Sequence, residues 1–472
     1  MPSNALKPAA VESSTPQSRS NAERAASAWP LLLLLTATLG PLSVLAGNVD
    51  RLAPGGVLWS IAVLGSILLI LRVVLVLTFH RPAMTDPLLA VITIGLLYNG
   101  LYARAVPLAV WLLGVVILAG LCLRPATARR LSAGLTVFLA VLVGSIGIGV
   151  ARDPTLWERG AIRAELDAAM PPLDPTPALA ATKDRPDVFY VVLDRYARAD
   201  QLASVFSFDN EPFLRALEAR GFHVTRASFG AYPRTAHSLM STLNLAEVPE
   251  ASKGSPSDDW VPIYERLSSP RLYPLLDQLG YEIRTYGSWW EPTRTSPFAD
   301  RSDAYYAVPE SLRPIVEGSW LAHALFRLGM DALDPRQRHC KRLNHGFSEL
   351  AATPVSEQPI FAFAHFLVPH PPFVVDASGN CMSVEEASAR SRRDNYIGQL
   401  EFANARIIAM VDALIARDPG AIIVLQSDEG PWPQRVAGEE VQNFGADISS
   451  VKWSELSPAE LREKMAILNA VR

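Results

Sequence analysis

The sequence predicts two parts in one chain. An N-terminal bundle of five transmembrane helices comes first, then an α/β domain on a doubly wound, mostly parallel sheet with helices on both faces. Three observations carry this. The 472 residues are 49% hydrophobic and only 19% charged, with a mean hydropathy of +0.17. Five apolar runs crowd the first 151 residues. Beyond residue 186, short and almost wholly apolar runs alternate with helix-like stretches, as strands buried on both faces do. Charge divides at the same place: residues 1–151 carry net +6 and residues 152–472 net −10. An acidic domain is a poor partner for a polyanion, which argues against nucleic acid. Fibrous and disordered classes are excluded by composition. Cys122, Cys340 and Cys381 show no CxxC spacing, which argues against structural zinc and thioredoxin-type chemistry.

Residues 1–28, rich in Ser, Ala, Asn and Pro, read as a disordered tail. The apolar runs of the transmembrane domain, 29–151, fall at 29–47, 55–79, 87–103, 106–123 and 132–150. Each approximates the roughly 17–25 residues that a bilayer core demands. Four further runs behind the first favour a retained signal-anchor over a cleaved signal peptide. Arg72 lies inside the second run, either facing the bundle interior or marking a shifted boundary. Gly144, Gly147 and Gly149 in the fifth suggest close helix packing. With the tail cytoplasmic, the inner set of basic residues is Lys7, Arg19, Arg24, Arg81, Arg124, Arg129 and Arg130, against Arg51 and Arg104 outside. That bias, with an odd number of spans, puts residue 152 onward outside the cytoplasm, in the periplasm or beyond an inner (plasma) membrane. In an oxidising compartment Cys340 and Cys381 are either a disulfide or two unrelated buried thiols.

Residues 152–186 read as a Pro- and Ala-rich linker with one short amphipathic helix, and 187–472 as the globular domain. Asp187-Val-Phe-Tyr-Val-Val-Leu193, Ile360-Phe-Ala-Phe-Ala-His-Phe366 and Ala421-Ile-Ile-Val-Leu-Gln426 are the buried strands. Tyr281–Tyr286 and Phe222–Ser228 are further candidates, and Pro212–Arg220 and Gln399–Arg417 read as helices. In such sheets, ligands bind beyond the carboxyl ends of the strands. There the sequence places Asp194, then His365 and Pro369-His370-Pro371-Pro372-Phe373, then Ser427-Asp428-Glu429-Gly430. Clustered, Asp194, Asp428 and Glu429 would repel one another without a divalent cation. One such ion is the expected cofactor, Mn²⁺ or Mg²⁺ ahead of Zn²⁺ or Ca²⁺. Thr235 opens a helix in Tyr232-Pro-Arg-Thr-Ala-His-Ser-Leu-Met-Ser241. It reads either as an N-cap or as a hydroxyl at a helix end that attracts anions, able to attack phosphorus beside a metal.

Together, PDVFYVVLDRYAR, YPRTAHSLMSTLN, AHFLVPHPPF and VLQSDEGP, spread over 186–435, resemble the sulfatase-like branch of the alkaline phosphatase superfamily. The anchored architecture resembles lipoteichoic acid synthases and lipid A phosphoethanolamine transferases. The resemblance implies an alkaline-phosphatase-like sheet, a metal held by Asp194, Thr235 and Asp428, and Thr235 as the nucleophile. It implies that His370 protonates a leaving group. By a looser match, Trp289, Trp290 and Arg294 line a head-group pocket, with Arg234 beside the nucleophile; ordinary core packing is the competing reading of the tryptophans.

Three departures qualify it. Glu429 stands where the family has His, and is expected as the fourth ligand. Thr235-Ala-His-Ser-Leu239 lacks the C/S-x-P-x-R context of formylglycine sulfatases, which argues against sulfate-ester hydrolysis. Relatives would continue past Arg472 with strand and helix, so the resemblance implies a truncated last edge. The leading expectation is a metal-dependent phosphotransferase that moves a phospholipid-derived head group through Thr235 to an envelope glycan or lipid. A phosphodiesterase or phosphatase of the same fold, and a non-catalytic envelope protein, are the alternatives.

Overall fold

The computed structural model describes residues 29–102, 107–176, 184–249, 259–306, 308–330, 334–437 and 455–472. The expected tail and Arg104 lie outside the described residues. The chain divides into two compact units. One runs to Asn48 and adds Ala53–Arg152 and Pro314–Leu321; the other is Val49–Leu52, Asp153–Arg313 and Ala322–Arg472.

In the first unit, helices Trp29–Ala46, Pro54–Phe79, Pro82–Leu97, Leu108–Cys122 and Pro125–Arg152 fall on the five apolar runs. By length and composition, three rather than five can cross a membrane: Trp29–Ala46, Pro54–Phe79 and the stretch from Pro125. The other two have 16 and 15 residues, short of the roughly 20 a helix needs. Their shortness has a local cause. The first ends at Tyr98 and is followed by a separate short helix, Asn99–Tyr102, and the second begins at Leu108, just after Pro107. Arg72 faces the interior, its Nε 2.7 Å from Asp86 Oδ1 and its guanidinium 3.7 Å from the centre of the Trp29 ring. Of the glycines expected to pack closely, a side chain at Gly147 would meet Leu42 at 3.9 Å, while nothing lies that near Gly144 or Gly149. The tighter approaches are at Gly40, where a side chain would overlap Tyr98, and at Gly95, where it would overlap Trp111.

The second unit holds a seven-stranded sheet: β1 (Val188–Leu193), β2 (His223–Val224), β3 (Glu282–Tyr286), β4 (Arg301–Asp303), β5 (Ile360–Phe366), β6 (Ile422–Gln426) and β7 (Asn469–Val471). Their order is β2-β7-β6-β1-β5-β3-β4, parallel except for β7, which runs antiparallel to β6 and β2. The three apolar runs are the three central strands, because only continuous apolar sequence suits a strand covered on both faces. Alternate residues of β1 enter opposite cores. Phe189, Val191 and Leu193 pack with Leu202, Leu343 and Ile407, while Tyr190 and Val192 pack with Leu239, Leu243 and Leu267. Helices Pro335–Ala351 and Arg392–Arg417 therefore cover one face, and Thr235–Asn244 and Val261–Ser268 the other. The expected strand 222–228 shrinks to two residues, and the helix expected from Gln399 begins at Arg392. Ser391 caps that helix by accepting from the Asp394 amide. The linker helix is Pro154–Ala169. Cys340 and Cys381 form a disulfide with Cα atoms 5.5 Å apart.

Candidate metal centre

Register assembles the site. β1 lies between β5 and β6, with Val192 opposite both His365 and Gln426. The carboxyl ends of three parallel strands therefore deliver Asp194, His365 and Asp428 to one place. One ligand atom from each lies within 4.8 Å of the others, and all three residues are buried. The Asp194 amide donates to the Phe366 carbonyl at 2.9 Å, which carries the pairing one residue past β1 and fixes the carboxylate.

Arg195 then turns left-handed, at φ 61°. A non-glycine residue there costs roughly 1–3 kcal/mol, offset by what the turn aims. Its amide donates to Asp428 Oδ1 at 3.3 Å, its Nε donates to Glu429 Oε1 at 3.3 Å, and its carbonyl accepts from the Tyr396 hydroxyl at 2.7 Å.

Four buried atoms here have no hydrogen-bond partner: Asp194 Oδ1, His365 Nε2, Asp428 Oδ2 and Glu429 Oε2. Such orphans are costly in a folded interior. The His365 ring is held from behind, with Nδ1 2.8 Å from Thr293 Oγ1, which in turn lies 2.9 Å from Ser288 Oγ. Its Nε2 stands 3.7 Å from Asp194 Oδ2, too far for a hydrogen bond. An imidazole oriented by a hydroxyl, two carboxylates and orphaned atoms facing inward fit a divalent cation.

Electrostatics agree. Burial works against the Asp194 charge, but His370, His365 and Arg195 outweigh it and hold the group below the ordinary carboxylate range. Burial pushes Asp428 well up, helped by the charges of Asp194 and Glu429, against a polar contact from the Thr235 side chain. Burial also lowers His370, to about 3, with Arg195 adding to it. His370 is therefore neutral at neutral pH, and Arg195 is the permanent charge supporting Asp194.

The expected ligand set is Asp194, Thr235, Asp428 and Glu429, and the structure divides it. Thr235 is the first residue of the Thr235–Asn244 helix. Arg234 is the capping residue, extended at φ −136° and ψ 133°, and no side chain caps the helix. The Thr235 hydroxyl is not spent as an N-cap, and it lies beside Asp428. Glu429 has another partner. Lys464 Nζ, fully buried, sits 2.6 Å from Glu429 Oε1, donates to the Gly430 carbonyl at 3.0 Å and lies 4.1 Å from the centre of the Trp432 ring. Gly430 permits this approach, since any side chain there would overlap the backbone of Glu463 and Lys464. His365 joins the cluster that Glu429 was expected to complete. Sequence reasoning noted its strand-end position without making it a ligand.

The remaining site residues spread along an aromatic wall. The Trp290 ring lies 6.1 Å from His365 and 5.4 Å from Tyr264, and Tyr264 lies 6.2 Å from Trp260. Arg234 stacks over Trp260 at 4.9 Å. Arg294 is engaged locally, donating to the Val308 carbonyl at 3.3 Å and facing Glu291 at 3.5 Å, and Trp289 carries the Arg313 guanidinium at 4.7 Å. The Nδ1 of His370 contacts the Pro371 carbonyl, and its own carbonyl accepts from Gln399 at 3.1 Å.

No family model matches the chain, and no curated protein matches it. Among solved structures it is similar to the integral membrane lipooligosaccharide phosphoethanolamine transferase A of Neisseria meningitidis, at 12% identity and a TM-score of 0.38 over 94% of this chain and 88% of that one. It is similar to the periplasmic domain of EptC from Escherichia coli, at 13% identity and a TM-score of 0.36 over 64% and 76%. A putative sulfatase of Bacteroides fragilis follows at 15% identity and a TM-score of 0.29 over 62% and 69%.

Proposed function

We propose that the chain is a membrane-anchored, metal-dependent phosphotransferase that takes a phosphorylated head group from a membrane lipid, carries it on Thr235 and passes it to an envelope glycan or lipid. The observation that supports this is the convergence of buried Asp194, His365 and Asp428, each with an unpartnered atom, beside the Thr235 hydroxyl at a helix N-terminus. A divalent cation held by those three residues and Thr235 would supply positive charge that eases loss of the Thr235 proton and offsets charge on the phosphate. With an imidazole among oxygen donors, Mn²⁺ and Zn²⁺ gain on Mg²⁺.

The chain's own residues do the rest. The first amides of the Thr235–Asn244 helix and Arg234 attract the phosphate. As the bond from Thr235 Oγ1 to phosphorus forms, the bond to the lipid oxygen breaks. His370, neutral at rest, takes the proton Thr235 gives up and returns it to that oxygen. Trp290 shields the reacting group from water, and Trp289 and Arg294 serve the head group. The acceptor hydroxyl then attacks phosphorus and frees Thr235; water in its place would make the same site a phosphodiesterase. The test is mass spectrometry of the purified chain after incubation with mixed phospholipids and Mn²⁺. A head-group phosphate adduct on Thr235 is expected, and its absence with every metal and lipid would refute the reading.

One observation favours a second reading. Lys464 already supplies a buried positive charge to Glu429, as a non-catalytic relative that had exchanged part of a metal's charge for an ammonium would. That protein would bind no metal in the same assay.

The membrane placement belongs to the same proposal. The tail is cytoplasmic and residues 152–472 are external, a placement that three crossings satisfy as five would, both numbers being odd. The basic residues of the loops and the Cys340–Cys381 disulfide support it. Reporter fusions after Arg130 and after Arg152 should read opposite compartments.

A further inference from the structure

Residues 313–330 read Arg-Pro-Ile-Val-Glu-Gly-Ser-Trp-Leu-Ala-His-Ala-Leu-Phe-Arg-Leu-Gly-Met. From Trp320 to Arg327 they form a helix. Its end is fixed by a Schellman arrangement. Gly329 adopts φ +89°, its amide donates to the Phe326 carbonyl at 2.8 Å, and the Met330 amide donates to the Leu325 carbonyl at 3.1 Å. The helix is thus a defined element, and it turns apolar side chains outward. Leu328 is 79% exposed, and Met330, Phe326 and Leu321 are 40–48% exposed. Leu321, Ala324, Leu325 and Leu328 recur at i, i+3, i+4 and i+7, the spacing of one helical stripe, while His323 and Arg327 flank it.

What covers that stripe is indicated by where its start is tied. Pro314–Leu321 belongs to the same compact unit as the apolar helices. The Trp320 amide donates to Asn99 Oδ1 at 2.9 Å. The Trp320 and Trp111 rings meet edge to face at 5.8 Å, and Gly318 packs backbone to backbone on Gly100. Asn99 and Gly100 open the short helix Asn99–Tyr102, just after the first of the two short apolar helices, and Trp111 lies in the first turn of the second. Along that second helix Leu108, Val110, Leu112, Leu113, Val116 and Ile117 are outward-facing. The stripe therefore starts, within the unit that holds the apolar helices, at a pair of tryptophans, the side chains favoured where hydrocarbon meets head groups.

We infer that Trp320–Met330 is a membrane-surface element, an amphipathic helix that lies in the head-group region of the external leaflet with Leu321, Leu325, Leu328 and Met330 facing the acyl chains. The partner is the bilayer, and a second copy of this chain or another protein is the competing occupant. The helix reaches the surface from within the globular sequence, some 170 residues after the last apolar run, so it is a second point of attachment and not an extension of the anchor.

The experiment uses the full chain in phosphatidylethanolamine–phosphatidylglycerol nanodiscs. With Cys122→Ala removing the one free thiol among the described residues, Leu328→Cys and, separately, Met330→Cys are labelled with an environment-sensitive fluorophore. Val384→Cys, exposed on the globular unit, and Val141→Cys, in the last apolar helix, are the references. Leu328 and Met330 should emit to the blue of Val384 and be quenched several-fold more by lipid carrying a doxyl group near the head group than by lipid carrying it deep in the chain. Val141 should be quenched by the deep probe. Leu328 and Met330 behaving as Val384 does, while Val141 is quenched, would overturn the inference and leave the membrane reading intact. Blue-shifted emission that no lipid quencher reaches would mean that protein covers the stripe, and would overturn it as well. No quenching at Val141 would remove the membrane reading and this inference together.

Discussion

Two sides of one buried acidic cluster are treated differently by the fold. On the side of Asp194, His365 and Asp428, one buried atom of each, like Glu429 Oε2, has no hydrogen-bond partner among the described residues, and no lysine of those residues pairs with either aspartate. On the side of Glu429, Lys464 at 2.6 Å and Arg195 at 3.3 Å bring two cations to one carboxylate oxygen. Both sides are buried and both are acidic, so composition does not distinguish them. The difference lies in whether a charge is balanced from within the chain or left for something that arrives later. A buried carboxylate with its own ammonium is a finished structural unit; a pair of carboxylates with an oriented imidazole is an unfinished one.

Substitutions can break or sharpen that contrast. The largest effects belong to the unfinished side. Thr235→Ala and Asp428→Asn should each abolish adduct formation, whereas His370→Gln should slow turnover by about 10²–10⁴-fold, the usual worth of acid–base help. Stopped-flow release of lipid product would rank them, and equal losses would remove His370 from a merely assisting role. Metal affinity by calorimetry gives the direct comparison. Asp194→Asn should weaken binding by more than about 100-fold, while Glu429→Gln should change it by less than about tenfold. The reverse order would make Glu429 a ligand and the Lys464 contact secondary.

Lys464→Met attacks the finished side. Leaving the buried Glu429 with Arg195 as its one cation should cost up to about 3–5 kcal/mol in denaturant unfolding, and Glu429→Gln in the same chain should restore part of it. A Lys464→Met protein as stable as the parent would show that the pair is incidental. The smallest effect on the site should come from Cys340 and Cys381. Closing a loop of 41 residues is worth about 4 kcal/mol to the folded domain, so reduction should lower the melting temperature while metal affinity stays within about twofold.

Much of the fold was legible because the central strands are the most buried. β1, β5 and β6 announce themselves as continuous apolar runs, and the residues after them mark the end where the site lies. The edges of the sheet were not. β4 reads Arg-Ser-Asp and β2 spans two residues, so neither carries a period that local sequence could show. Within the site, Asp194 and Asp428 were readable as polar residues closing apolar strands. His365 is less legible, because histidine ligands are recognised in a sequence by close spacing and this one has none to its partners. In a parallel sheet, ligands are brought together by register between strands, here Val192 against His365, across more than 170 intervening residues. Lys464 was invisible for the same reason, amplified: nothing in Glu-Lys-Met distinguishes a buried ammonium from a solvated one. Two apolar runs read as full spans for a different cause, since hydropathy averages straight through the end of a helix such as that at Tyr98.

That Glu429 depends on Lys464, and that β7 sits between β2 and β6, has a consequence for how the protein is born. About 270 residues separate Asp194 from Lys464, and synthesis at 5–20 residues per second puts them on the order of 15–50 s apart. Throughout that interval a nascent chain presents β1 and Asp194 without Lys464 and β7, and the sheet cannot take up its order until residues 469–471 have been made. Closure of the sheet and the balancing of Glu429 therefore wait on one short stretch, residues 464–471.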